Sequence, residues 1–262
     1  MVGRVYPRPR HRARAPNSVR PPMASTPIAA VDLRASLKSA VQNAGRIFDD
    51  AKLLDEMGRH PTSYALCILA QEEYGKAFLL YLAHKQSVQW TVDFQKALRN
   101  HRCKQLVALL MEYLQRKDFL ELLEDPDKFR GASRLPEYIM DAMQIVVHEH
   151  IHGCNRYAWL DDGKKPHPVA NRIARGVLER EKQTGVYVEL GSNGTVRKSP
   201  SLVSAERCRE EIARTEKIGN VFWVRDGEVE ATASFDLPKI VATFAALSGI
   251  MPVDEFNEKW WQ

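Results

Sequence analysis

The sequence predicts a mainly α-helical bundle carrying one small β-hairpin near residues 186–197. Three observations carry this. From Thr62 to Asp125 there is no proline and one glycine, Gly75. Apolar residues recur there and before it at spacings of three and four, the period of a helix. A single stretch, Val186-Tyr187-Val188-Glu189-Leu190, reads as a strand. It is followed by the turn signal Ser192-Asn193-Gly194 and a returning Thr195-Val196-Arg197. Strands and helices do not alternate, so a parallel α/β sheet is not expected.

The elements follow in order. A first helix is expected over 31–57, with Asp32 as its cap and Leu33, Leu37, Val41, Ala44 and Phe48 on its apolar stripe. Gly58-Arg59-His60-Pro61 breaks it, glycine suiting the end of one helix and proline the start of the next. A second helix is expected over 62–85 and a third over 91–124, with a bend near Lys117-Asp118. A loop over 126–134 leads to a fourth helix opened by Pro136 at its first position and stopped by Gly153. Residues 159–168 read as a loop and 171–182 as a helix. After the hairpin, Ser204 caps a helix reaching Gly219. Asp236 and Pro238 open one more that stops near Gly249, and Pro252 opens a short last one.

Length and charge refine this plan. At roughly 100–200 residues per domain, 262 residues make one large domain or two small ones, with core enough to need no disulfide or metal staple. Residues 1–27 hold six arginines, six prolines and no Asp, Glu or Lys. Such a segment buries too little apolar surface to offset chain entropy and is expected to be a disordered tail. It is read as an arm touching RNA or a membrane, as a solvated tail without a role, or as the product of a start placed upstream of Met23. The six arginines exceed the net charge of +5, so residues 28–262 carry −1 and present no generally basic face. The expected division is 1–27 tail, 28–235 helical domain and 236–262 helical extension. Cys67, Cys103, Cys154 and Cys208 lie far apart without a CxxC pair, which argues against a zinc ribbon or a secreted disulfide scaffold and fits a reducing, cytoplasmic setting. The apolar stretch 64–83 is long enough to span a bilayer, but Glu72, Glu73 and Lys76 sit at its middle, so a buried helix of a bundle is expected and no membrane contact.

Those same residues are the candidate site. Glu72 and Glu73 share their sides of the helix with apolar groups, and both reach Lys76 at three or four residues. A buried carboxylate must be paired or neutralised. On the next helix, His101 and Lys104 are three apart and face one way. If the two helices are neighbours, Glu72, Glu73, Lys76, His101 and Lys104 form one network. It serves either to fix helix register or as an acid/base or phosphate site.

These pieces resemble a known family. Ser63-Tyr64-Ala65 through Glu72-Glu73-Tyr74-Gly75-Lys76-Ala77 is similar to the Glu-Glu-x-Gly-Lys-Ala signature of the AbiV abortive-infection proteins, within the HEPN superfamily. Asn100-His101-Arg102-Cys103-Lys104 resembles that family's His-x-x-Lys step, and 181–189 its later element ending in a short strand. The resemblance covers roughly 30–220. It implies a HEPN-like helical bundle in the bacterial cytoplasm that halts a phage-infected cell by acting on RNA or the translation machinery, or by binding a phage protein. It also implies a homodimer, and no cofactor is expected. HEPN ribonucleases carry Arg-x(4–6)-His, with the histidine as base and the arginine on the phosphate. Here only Arg4 and His11 have that spacing, and they lie in the tail.

A second chemistry competes. His148-Glu149-His150-Ile151-His152 matches His-Glu-x-x-His. On a helix, His148 and His152 share a face for zinc, with Glu149 as the base of a hydrolase and Glu179, Glu181, Asp161 or His167 as a third ligand. The plain alternative is that these histidines interact favourably with the negative end of their helix.

Overall fold

The structure, a computed structural model, describes residues 33–84, 89–117, 119, 136–151, 153, 166–225 and 228–231. The tail 1–27, the helices expected after residue 236, the end of the third helix, His152, Cys154 and Asp161 lie outside them.

The mainly α-helical expectation holds. Helix α1 (Leu33–Glu56) buries Leu37, Ala40, Val41, Ala44, Phe48 and Ala51, one stripe at three- and four-residue spacing. It ends where Gly58 takes φ +71°, which lets the amides of Gly58 and Arg59 bond back to the carbonyls of Asp55 and Leu54 at 2.8 Å. Helix α2 (His60–His84) is the spine. It buries sixteen of its 25 residues, so it must be enclosed on several sides. Helix α1 packs along it, and α4 (His101–Leu114), α7 (Val177–Thr184) and α8 (Ala205–Gly219) cover the rest.

The expected single helix over 91–124 is corrected. It is broken at Asn100 into α3 (Val92–Arg99) and α4, and α4 itself ends at Leu114, with a turn at Gln115 and Arg116 beside the bend expected near Lys117. Asn100 adopts an extended backbone, its N–H closes α3 on the Ala97 carbonyl, and its Oδ1 accepts from the Cys103 amide at 3.1 Å. One asparagine therefore ends one helix and caps the next. Helix α5 (Glu137–Gln144) starts one residue after Pro136, which is the cap rather than the first helical residue, and continues as a π-helical segment, Ile145–Ile151. Gly153 follows at φ +65°. The helix expected over 171–182 is also two, α6 (Pro168–Ala174) and α7, because Gly176 turns the chain at φ +71°.

The predicted hairpin is present but shorter, pairing β1 (Glu189–Leu190) with β2 (Val196–Lys198). Val186 and Tyr187 instead bond back to the Gln183 carbonyl, finishing α7. The expectation of one hairpin is corrected to two: β3 (Phe222–Arg225) pairs with β4 (Glu228–Ala231) in register Phe222 to Ala231. Phe222 packs beside Phe78 and Tyr81 of α2, with ring centres 6.4 and 6.2 Å away. Among the described residues no helix is long and apolar enough to cross a membrane.

Two buried thiols follow from this packing. Cys67 and Cys103 have no exposed surface, and burial pushes the Cys67 thiol up to about 12. Since the thiolate is the reactive form, neither is expected to be alkylated in the native protein at pH 8, while both label in denaturant. Mass spectrometry of iodoacetamide-treated peptides checks this, and rapid native labelling of either would contradict their burial.

Candidate functional site

The centre is Glu72, on the middle of α2 and 1% exposed. Adjacent helical residues point about 100° apart, so Glu72 and Glu73 face different neighbours. Glu72 turns to α4 and α7. Its Oε2 lies 2.5 Å from His101 Nδ1 and 3.7 Å from Lys104 Nζ. Its Oε1 accepts from Gln105 Nε2 at 2.7 Å and Lys182 Nζ at 2.9 Å. Lys182 Nζ also reaches Glu179 Oε2 at 2.6 Å. Buried Glu72, Lys104 and Lys182, with Glu179 28% exposed at their edge, thus balance two lysines against two carboxylates, the condition under which buried charge is tolerated. Burial alone would raise the Glu179 carboxyl, but the hydrogen bond and charge of Lys182, with His101 and Gln183, outweigh it and hold it below the usual carboxylate range.

Of the five predicted residues, Glu72, His101 and Lys104 come together. Glu73 and Lys76 do not join them, which corrects the expectation of one network. Glu73 Oε2 accepts from Lys76 Nζ at 3.2 Å and from Asn43 of α1 at 3.3 Å, on another side of α2. Gln105, Glu179 and Lys182 belong to the site and were not predicted as its members. Lys182 left a trace: it stands four residues after buried Leu178, a lysine on an apolar stripe.

The network surfaces at one point. His101 is 52% exposed, although its Nδ1 is held by Glu72. A carboxylate can only accept, so Nδ1 carries the proton in this contact, and in the neutral ring Nε2 keeps its lone pair. The ring borders a cleft of about 450 Å³ lined by Arg99, Asn100, Arg102, Gly176, Glu179 and Arg180. The break at Asn100 places Arg99, His101 and Arg102 together, and Gly176 leaves room for Arg102, whose Nε lies 3.2 Å from where a Cβ would stand. The first turn of α4 opens here, adding the partial positive charge of a helix start. Three guanidinium groups and a helix N-terminus, set against the one carboxylate of Glu179, give the cleft a net positive lining.

A metal does not fit the same residues. Glu72, His101 and Glu179 offer ligand atoms within 4.8 Å of one another, but Lys182 Nζ bonds to both carboxylates and already supplies the positive charge. In the zinc alternative, His148 and Glu149 lie on the π-helical segment and His152 is outside the described residues. Of the third ligands considered, Glu181 is held by Arg172, Arg207 and Tyr64, and Glu179 by Lys182.

The comparison with protein families decides kinship. The model of the HEPN family of AbiV proteins matches residues 32–220. The chain belongs to the AbiV family. The matched segment contains every residue of the Glu72 network and the whole cleft, and ends just before the second hairpin of this AbiV protein. Neither the curated proteins nor the solved structures provide a match.

Proposed function

We propose that this AbiV protein is an abortive-infection effector of bacterial antiphage defence that acts on RNA through the His101 cleft. The observation that carries the reading is the half-exposed His101, backed at Nδ1 by buried Glu72 and flanked by Arg99, Arg102 and Arg180. The arginines suit the non-bridging oxygens of a phosphodiester. Nε2 suits removal of the proton from a ribose 2′-hydroxyl, whose oxygen attacks phosphorus as the 5′-oxygen leaves and takes a proton from water. Glu72 holds the ring in the tautomer that leaves Nε2 free and stabilises the imidazolium that forms. The usual Arg-x(4–6)-His spacing is absent around His101; Arg99 and Arg102 flank it instead across the α3–α4 break.

The test is RNA integrity in phage-infected bacteria carrying this protein. Fragments ending in 2′,3′-cyclic phosphate are expected, and His101→Ala is expected to slow their formation by about 10²–10⁴-fold, the usual worth of a positioned acid–base group. Intact RNA beside lost phage yield would sink the cleavage reading in favour of an effector that binds a ribosomal or phage protein. Fragments unchanged in His101→Ala would move the chemistry elsewhere.

A further inference from the structure

A second cluster lies where the α1–α2 turn meets the start of α8. Asp55 is in the last turn of α1, His60 is the first residue of α2, and Cys208 is in the first turn of α8. Asp55 Oδ1 and His60 Nδ1 are 2.7 Å apart, and one oxygen, nitrogen or sulfur atom from each of the three lies within 4.8 Å of the others. We infer that Asp55, His60 and Cys208 form a binding site for a zinc-like divalent cation.

Four arguments support a metal here. The turn is rigidly set: Gly58 at φ +71° closes α1 and returns the chain so that Asp55 and His60 meet. The ligand set matches zinc, which takes thiolate, imidazole and carboxylate together, whereas magnesium and calcium prefer oxygen alone. Tetrahedral zinc bonds of about 2.0–2.3 Å put ligand atoms about 3.3–3.6 Å apart, so the three side chains need shift only by a fraction of an ångström to a little over one. Among the described residues no lysine or arginine pairs with Asp55, in contrast to Glu72, where Lys182 supplies the cation.

The same three residue types also suit a cysteine nucleophile with its base, but Cys208 has no exposed surface for a substrate to reach. Asp55 and His60 are 19% and 30% exposed, which gives an ion a path from solvent. On binding, the His60 ring proton shifts from Nδ1 to Nε2 and the thiol gives up its proton to water, so that thiolate and carboxylate together neutralise the dication. Three protein ligands leave a fourth position for water. The bound ion would tie α8 to the α1–α2 turn across about 150 residues of chain, while α8 also supplies Arg207 to Glu181.

The test uses the purified full-length protein, stripped with a chelator and titrated with Co²⁺ as a spectroscopic stand-in for Zn²⁺. A thiolate-to-cobalt charge-transfer band saturating at one equivalent is expected, and excess Zn²⁺ is expected to raise Tm by about 5 °C. Cys208→Ser is expected to abolish the band. His60→Ala, at a more exposed position, covers the case in which that variant does not fold, and is expected to weaken Co²⁺ binding by about 100-fold. His148→Ala is expected to change nothing. Absence of the band in the unaltered protein, its survival in Cys208→Ser, or its loss in His148→Ala but not His60→Ala would overturn the site.

Discussion

Glu72→Ala is expected to destabilise the protein by about 3–5 kcal/mol, a large part of the 5–15 kcal/mol that holds a domain of ordinary stability together. The loss comes less from the missing contacts than from what they leave behind. The side chains of Lys104 and Lys182 are 8% and 10% exposed, and Glu72 is the carboxylate between them. Without it, Lys182 keeps Glu179, but Lys104 is left without a counter-charge among the described ion pairs and Gln105 Nε2 loses its acceptor. Glu72→Gln should cost less, since an amide oxygen still accepts from one lysine. Urea unfolding followed by circular dichroism reads the difference as a fall in midpoint at constant slope. A Glu72→Ala midpoint within about 1 kcal/mol of the unaltered protein would mean that Lys104 and Lys182 find water on relaxation. Glu72→Gln is also the better variant for function, because the fold survives while the hold on the His101 tautomer weakens.

Gly75→Ala is expected to do harm of a second kind, about 2–3 kcal/mol by overpacking. A Cβ there would stand 2.4 Å from the Lys104 carbonyl oxygen and 3.2 Å from its carbonyl carbon. These are backbone atoms and cannot swing aside, so α2 and α4 must separate. Separation acts where the two helices share the Glu72–His101 contact, so RNA cleavage in cells should fall together with stability. Gly45→Ala is the matched control. Its Cβ meets only the Tyr74 hydroxyl, at 3.8 Å, and replacing glycine inside a helix should stabilise by about 0.5–1 kcal/mol. Equal effects at the two glycines would refute the close-approach argument.

The helices were legible in the sequence because burial imposes a period, and α1 and α2 lie within two residues of their expected bounds. What escaped were breaks without proline. Asn100 divides α3 from α4 with its own side chain and backbone, a local competition that the apolar period does not register. Gly176 divides α6 from α7 by a positive φ within a segment whose polar and apolar residues still alternate as in a helix. The second hairpin also carries a turn signal, Asp226-Gly227 between Phe222-Trp223-Val224 and Val229, but its strands are only four residues long. At the site, spacing found the residues within one helix turn of each other but could not say which way each pointed. Glu73 and Lys76 satisfied each other locally, as neighbours three apart do. The partners of Glu72 come from 29, 33 and 110 residues away, and only tertiary packing brings them in.

That last separation has a consequence in time. A ribosome adds about 5–20 residues per second, so Lys182 is made roughly 5–20 s after Glu72. During that interval α1 and α2 can pair, but the carboxylate at the centre of α2 has no lysine from α7 to face. Helix α4, with His101, Lys104 and Gln105, is made within that interval, but the part of α2 that α7 covers stays open until Lys182 has been made. The cleft, whose far wall is Gly176, Glu179 and Arg180, therefore cannot assemble on a half-made chain.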